Sequence, residues 1–201
     1  MSILHWITAL LVSTSVMAGP VQDEDRDLTQ LRAIGAPAVS TIYIFTSATC
    51  PHCAAFHQDI LPDIIKQYVN TGKAQILFVD DPSTSITATA ALLARCVDPE
   101  KSEQFMTEVF KGQKDWLGKK NARDILLKYA VNAGLTRIQA NQCLGNTTVE
   151  AEMKQQWTNL ARMYQVRAFP TVAVRQGNKV RTYKGANKRA MLGGMEHDFE
   201  Q

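Results

Sequence analysis

The stretch FTSATCPHCAAFHQDILPDII, residues 45–65, decides how the rest of the chain is read. It sets Cys50 and Cys53 three positions apart, at the point where an apolar run gives way to a mixed one. Upstream, AVSTIYIF (38–45) is rich in β-branched and aromatic residues and follows Gly35 and Pro37, which predicts a strand buried on both faces. Downstream, Phe56, Ile60, Ile64 and Tyr68 recur every fourth residue. That period predicts a helix over 50–70, bent or interrupted at Pro62. Gly72 closes this unit, and AQILFV (74–79) reads as a second buried strand. Strand, helix and strand at this spacing make a parallel crossover unit.

A Cys-x-x-Cys motif beside such a unit is a redox signature whose chemistry depends on its place at a helix start. Unpaired backbone N–H groups there stabilise a thiolate on Cys50, the first and more exposed sulfur. Cys53 sits one turn inward, where its thiol can return to resolve a mixed disulfide. Pro51 suits the first helical turn, since its missing donor would have had no partner. His52 adds positive charge or a donor beside the Cys50 sulfur. Each increment makes Cys50 a better leaving group and the internal disulfide more oxidising. His57, further along, reads as a surface residue of the helix rather than a second catalytic base.

Working outward, the pattern changes after residue 82. From Ser83 to about Tyr164 no strand is apparent, but helices with recognisable ends are. Asp98 and Pro99 make an N-cap and first-turn proline, and Phe105, Val109 and Phe110, extended by Trp116 and Leu117, give an apolar face. A further helix near 123–133 stops at Gly134. Thr136 and Gln139 form a capping box for a short helix leading to Cys143, and Val149, Met153, Trp157, Leu160 and Tyr164 line a longer closing helix. Beyond this block, 171–175 and 179–183 predict two strands joined by QGN as an antiparallel hairpin. Pro170 stands directly before the first of them, and 188–199 predicts a last helix weakened by Gly193 and Gly194.

Composition bounds the rest. Of 201 residues, 45% are hydrophobic and 20% charged, enough for one folded core, and the net charge of +3 with no basic tract gives no footprint for nucleic acid. Four cysteines are too few to hold such a chain together without a core. Residues 1–18, with an apolar run from Ile3 to Val12 and small Val16 and Ala18, are expected to be an export signal, with a membrane anchor facing the periplasm as the alternative. Residues 19–37 read as a solvated lead-in.

CPHC at 50–53, the upstream IGAPAVSTIYIF, the segments ALLARC and FKGQKDWL, and FPT at 169–171 together resemble the DsbA-like thiol oxidoreductases over about residues 34–185. The resemblance implies an α/β thioredoxin-like fold with a central mixed sheet, in two parts (38–82 and 166–201), around an inserted all-helical domain (83–165). It implies that Cys50 is the exposed nucleophile and Cys53 the buried resolving residue. It also implies that Pro170 is cis and faces the pair, and that the backbone at Phe169, with Thr171 beyond, pairs with an extended substrate. Members oxidise reduced exported proteins in the periplasm without a bound cofactor and are reoxidised by a quinone-linked DsbB-type membrane protein. The family also contains isomerases.

The chain departs from that pattern at Ile44, where many thioredoxin-fold redox proteins carry a buried acid that accepts the resolving cysteine's proton. Phe169 is also bulkier than the residue common before the family proline, and would narrow the peptide groove or floor it. Cys96 and Cys143, near the ends of two helices of the block, fit a structural disulfide, with free core cysteines or a second redox pair as alternatives. Cys50, His52, Cys53 and His57 also contain metal-ligand types, but they crowd one segment instead of supplying two separated pairs, so no metal is expected. A peptide-binding module shaped by an inert disulfide, and an isomerase or reductase using the same pair, remain the competing functions. No dimerisation domain is visible before Ala38, so the expectation is a monomeric oxidase.

Overall fold

A computed structural model describes residues 30–200. The expected signal at 1–18 and the first part of the lead-in lie outside the described residues. Within them the chain runs β1 (Arg32–Ile34), β2 (Ser40–Thr46), α1 (Pro51–Asp59), α2 (Leu61–Ile64), a π-helical turn (Ile65–Val69) and β3 (Ala74–Asp80). Helices α3 (Ser85–Cys96), α4 (Pro99–Lys111), α5 (Gln113–Trp116), α6 (Ala122–Asn132), α7 (Arg137–Leu144) and α8 (Thr147–Met163) follow. The chain closes with β4 (Thr171–Gln176), β5 (Lys179–Lys184) and α9 (Lys188–Phe199).

The five strands form one mixed sheet in the order β1-β3-β2-β4-β5. β2 and β3 are parallel, with Ile42 opposite Ile76, while β1–β3, β2–β4 and β4–β5 are antiparallel. Alternation along β2 divides the core. Ile42 and Ile44 join Phe56, Ile64, Phe78, Val172 and Met195 on one face, whereas Tyr43 and Phe45 meet Val79, Tyr164 and Ala173 on the other. Both faces are covered, which explains the near-continuous apolar reading of β2 and β3. Each large apolar side chain buried this way contributes about 1.5–3 kcal/mol.

Two sequence expectations need correction. The stretch 19–37 is not solvated throughout, because residues 32–34 form an edge strand whose Arg32 is buried and bonds Asp80 of β3 at 2.8 and 2.9 Å. Leu117 is 40% exposed and does not extend the α4 face, whereas Trp116 is fully buried and donates to the Val109 carbonyl at 2.9 Å. The interruption at Pro62 is present: α1 ends at Asp59, and Pro62 falls in the first turn of α2, where no helical donor is needed. In the hairpin, Gln176 faces Lys179 across the two-residue turn Gly177–Asn178, and Gly177 takes φ +57°. Gly194 has a packing reason to stand inside α9: a Cβ there would lie 2.5 Å from the Tyr183 ring.

Between α3 and α8 the capping signals read from the sequence are realised. The Asp98 side chain accepts from the Glu100 N–H, and Thr136 and Gln139 form their reciprocal box. Cys96 at the end of α3 is bonded to Cys143 of α7. A second core, with Leu93, Phe105, Val109, Phe110, Trp116 and Leu126, joins this block to Cys53 and Ala54 of α1.

Candidate active site

Three parts of the chain converge on the cysteines: the start of α1, the loop before β4, and α5 of the helical block. Cys50 is the N-cap of α1, with extended backbone (φ −86°, ψ 119°), and Pro51 occupies the first helical position. No side-chain cap engages that turn, and α1 has no acidic residue in it. The helix terminus therefore presents its positive end to the Cys50 sulfur without a competing carboxylate in its first turn. Cys50 is half-buried, and its thiol donates to the Phe169 carbonyl at 3.7 Å. The Phe169–Pro170 peptide is cis.

Cys53 is fully buried. Burial pushes its thiol up from 9.0 to about 12; the Thr46 hydroxyl and the Ser47 N–H act against that, and the nearby Cys50 adds to it. The Ser47 N–H lies 3.5 Å from the Cys53 sulfur. The Ser47 hydroxyl in turn donates to Asp81 at 2.9 Å. Ile44 is fully buried among apolar neighbours and supplies no proton acceptor. Cys50 thus faces outward with a carbonyl beside it, while Cys53 is a neutral thiol held inside.

The Pro170 loop is fixed from both sides. The Thr171 hydroxyl donates to the Ala168 carbonyl at 2.7 Å, and the Gly185 N–H donates to the Pro170 carbonyl at 2.9 Å. The Phe169 ring lies 5.4 Å from that of Trp157 in α8, so it packs against the helical block. His52 is exposed on the first turn of α1.

His57 is not on the surface. Its side chain is fully buried, its Nδ1 lies 3.0 Å from Glu103 of α4, and its ring sits 4.1 Å from that of Phe110. The reason is periodicity: Cys53, Phe56, His57 and Ile60 share the inner stripe of α1, where a polar ring must find a partner. Glu103 also lies 3.6 Å from Arg32, so a buried chain His57–Glu103–Arg32–Asp80 ties α1 to α4, β1 and β3. With His57 turned inward, the four residues weighed as metal ligands do not converge: among the described residues, no three His, Cys, Asp or Glu side chains group as a metal site would require.

One site residue escaped the sequence reading. Gln113 of α5 donates through its side-chain amide to the Ala48 carbonyl at 2.7 Å and the Cys50 carbonyl at 3.1 Å. The helical block thereby holds the turn that carries Cys50. The available signal was a polar residue in step with the apolar positions Val109, Phe110 and Trp116.

Comparison with known proteins agrees with this architecture. The chain matches the thioredoxin family profile over residues 28–188. It is 31% identical over 110 residues to a provisionally named protein-disulfide oxidoreductase of Rickettsia prowazekii, and 32% identical over 108 residues to its counterpart in Rickettsia conorii. These alignments cover 54% and 53% of this chain but only 40% and 39% of the relatives, so the aligned part spans well under half of their length. Among solved structures, Wolbachia pipientis α-DsbA1 superposes with a TM-score of 0.76 at 20% identity, covering 85% of this chain and 91% of that one. Oxidised BdbD from Bacillus subtilis superposes with a TM-score of 0.73 at 22% identity, covering 87% and 96%. Fold, cysteine motif and a profile match over most of the sequence agree, and the chain belongs to the thioredoxin family.

Proposed function

We propose that the protein is a thiol:disulfide oxidoreductase that donates a Cys50–Cys53 disulfide to reduced exported polypeptides. The observation that carries this reading is the asymmetry of the pair: Cys50 is accessible at a helix start, and Cys53 is buried and held neutral far above physiological pH. A substrate thiolate attacks the Cys50 sulfur, the S–S bond breaks, and the Cys53 sulfur leaves and takes up a proton. The Ser47 N–H and Thr46 hydroxyl favour the charge it carries at that moment. The mixed disulfide at Cys50 then has two exits. If Cys53 attacks, the substrate departs reduced; if a second substrate thiolate attacks the substrate sulfur, Cys50 leaves as thiolate and the substrate departs oxidised. A protonated Cys53 is a poor attacker, so burial suppresses the first exit. Two electrons pass from substrate dithiol to enzyme disulfide.

His52 and the α1 terminus stabilise the reduced Cys50, and the backbone at Phe169, beside cis Pro170 and Thr171, pairs with the extended substrate. The Cys96–Cys143 bond is structural. The protein works in the periplasm as a monomer, exported by residues 1–18, and is reoxidised by a quinone-linked DsbB-type membrane protein. That setting rests on the resemblance in the motifs; no helix among the described residues is long and apolar enough to cross a membrane. Oxidation of a fully reduced protein and rescue of a scrambled one, run side by side with purified oxidised and reduced enzyme, test the reading. Fast stoichiometric oxidation with weak rescue is expected. Efficient rescue with little net oxidation would make the protein an isomerase.

A further inference from the structure

On the sheet face opposite α9, a cleft of about 610 Å³ lies between the end of α8 and the β4–β5 hairpin. Its cations are Arg167, Arg175 and Lys184, and no carboxylate lines it. Among the described residues none of the three is held in an ion pair, and all are exposed. Arg175 donates from Nε to the Gly177 carbonyl at 3.2 Å, which anchors its guanidinium at the hairpin end, and its charge also acts on the Tyr164 hydroxyl. Two of the large apolar side chains left exposed by the fold, Met163 (64%) and Val180 (45%), stand in the same cleft. Tyr164 also lines it, with its hydroxyl buried beside Tyr43 and Arg175.

The cleft is continuous with the Pro170 loop. Lys184 is the register partner of Thr171, the residue after the cis proline. Arg167 stands three residues before Pro170, in the segment that carries the Phe169 carbonyl facing Cys50. From Lys184 to Val180 the strand advances about 13 Å, the length of roughly four extended residues. A polypeptide paired with the backbone at Phe169 therefore reaches the cations within a few residues of its reacting cysteine.

We infer that this cleft binds an acidic segment of the substrate polypeptide flanking the cysteine that attacks Cys50, so that the enzyme prefers reduced chains carrying Asp or Glu beside that cysteine. The inference rests on the proposed function and deepens it by naming the substrate class. Unpaired cations without a neighbouring carboxylate attract such a flank and repel a basic one, while Met163 and Val180 accommodate the apolar stems of the same segment.

The test uses full-length oxidised enzyme and dithiol peptides of identical core, differing only in a four-residue flank that is acidic, neutral or basic, placed on each side of the cysteines in turn. The rate of enzyme reduction is divided by the rate of the same peptide with oxidised glutathione, which cancels differences in thiol reactivity. The acidic-to-basic ratio is expected to be about tenfold on the favoured side and to collapse in concentrated salt. In R175E/K184E it should invert, the basic flank becoming the faster. In R123E/K128E, which changes net charge equally on exposed positions of α6, it should persist. A ratio near one in the unaltered protein overturns the inference, including the case in which the acidic stretch at 23–27 of the chain itself fills the cleft. An unchanged ratio in R175E/K184E also overturns it, by assigning the preference to net charge. Absence of any peptide oxidation would instead sink the proposed function, so the two failures are distinct.

Discussion

Cys53 has its thiol raised to about 12 by burial, and the consequence for stability has a definite sign. Below pH 9 both folded and unfolded chains keep that thiol protonated. Between 9.0 and about 12 the unfolded chain ionises it and the folded chain does not, so stability of the reduced protein falls as pH rises through that window. Urea midpoints of the reduced protein at pH 8 and pH 10.5 should drop more for the unaltered chain than for C53A, which lacks the group. Thr46→Val removes a buried hydroxyl that makes no geometric hydrogen bond but favours the Cys53 thiolate. It is expected to leave stability within about 1 kcal/mol while slowing substrate attack on the enzyme disulfide several-fold, as read by stopped-flow reduction. His57→Ala takes an aromatic ring from a full core and leaves Glu103 without its 3.0 Å partner, at a cost of about 2–4 kcal/mol in urea unfolding. The Cys50–Cys53 motif at a helix start was readable because its residue types and spacing are local. The place of His57 was readable in principle from the Cys53–Phe56–Ile60 stripe, but its partner Glu103 is 46 residues away and leaves no local trace.

At the scale of elements, the Cys96–Cys143 bond clips α3 to α7 across 47 residues. In the chain-entropy account closing such a loop contributes about 4 kcal/mol. C96A/C143A should lose up to that amount in denaturant titration, and graded reduction should open Cys50–Cys53 first while this bond survives, as peptide mapping would show. Gln113→Leu strips the Ala48 carbonyl of its donor, while the Cys50 carbonyl keeps the Cys53 and Ala54 N–H groups, and a buried acceptor left unpaired costs about 1–3 kcal/mol. The expected result is that loss together with slower exchange at Cys50. Helices were legible wherever caps and apolar periods coincided, as at Asp98 and Thr136. β1 was not, because three residues, RAI, show no alternation and owe their place to the Arg32–Asp80 pair with a strand more than 40 positions away. α5 was merged with α4 because a four-residue helix is shorter than the apolar period that would mark it.

The whole molecule sets a thioredoxin sheet and a helical block on either side of Cys50, joined by Gln113, by the His57–Glu103–Arg32–Asp80 chain, and by the core that Leu93, Phe105 and Cys53 share. The sequence showed both parts as a change from strand pattern to helix pattern, but not the contacts that lock them, which arise only when distant elements meet. Those contacts hold Cys50 outward at a helix terminus and Cys53 inward, and the proposed disulfide donor requires that this arrangement stabilise the reduced pair relative to its disulfide. The most direct measurement is the reduction potential of Cys50–Cys53 at pH 7 by equilibration with glutathione, on the unaltered protein and on His52→Ala. The account predicts a potential more oxidising than about −180 mV, with His52→Ala moving it toward more reducing values; a potential near −270 mV, the range of thioredoxin itself, would contradict a disulfide donor.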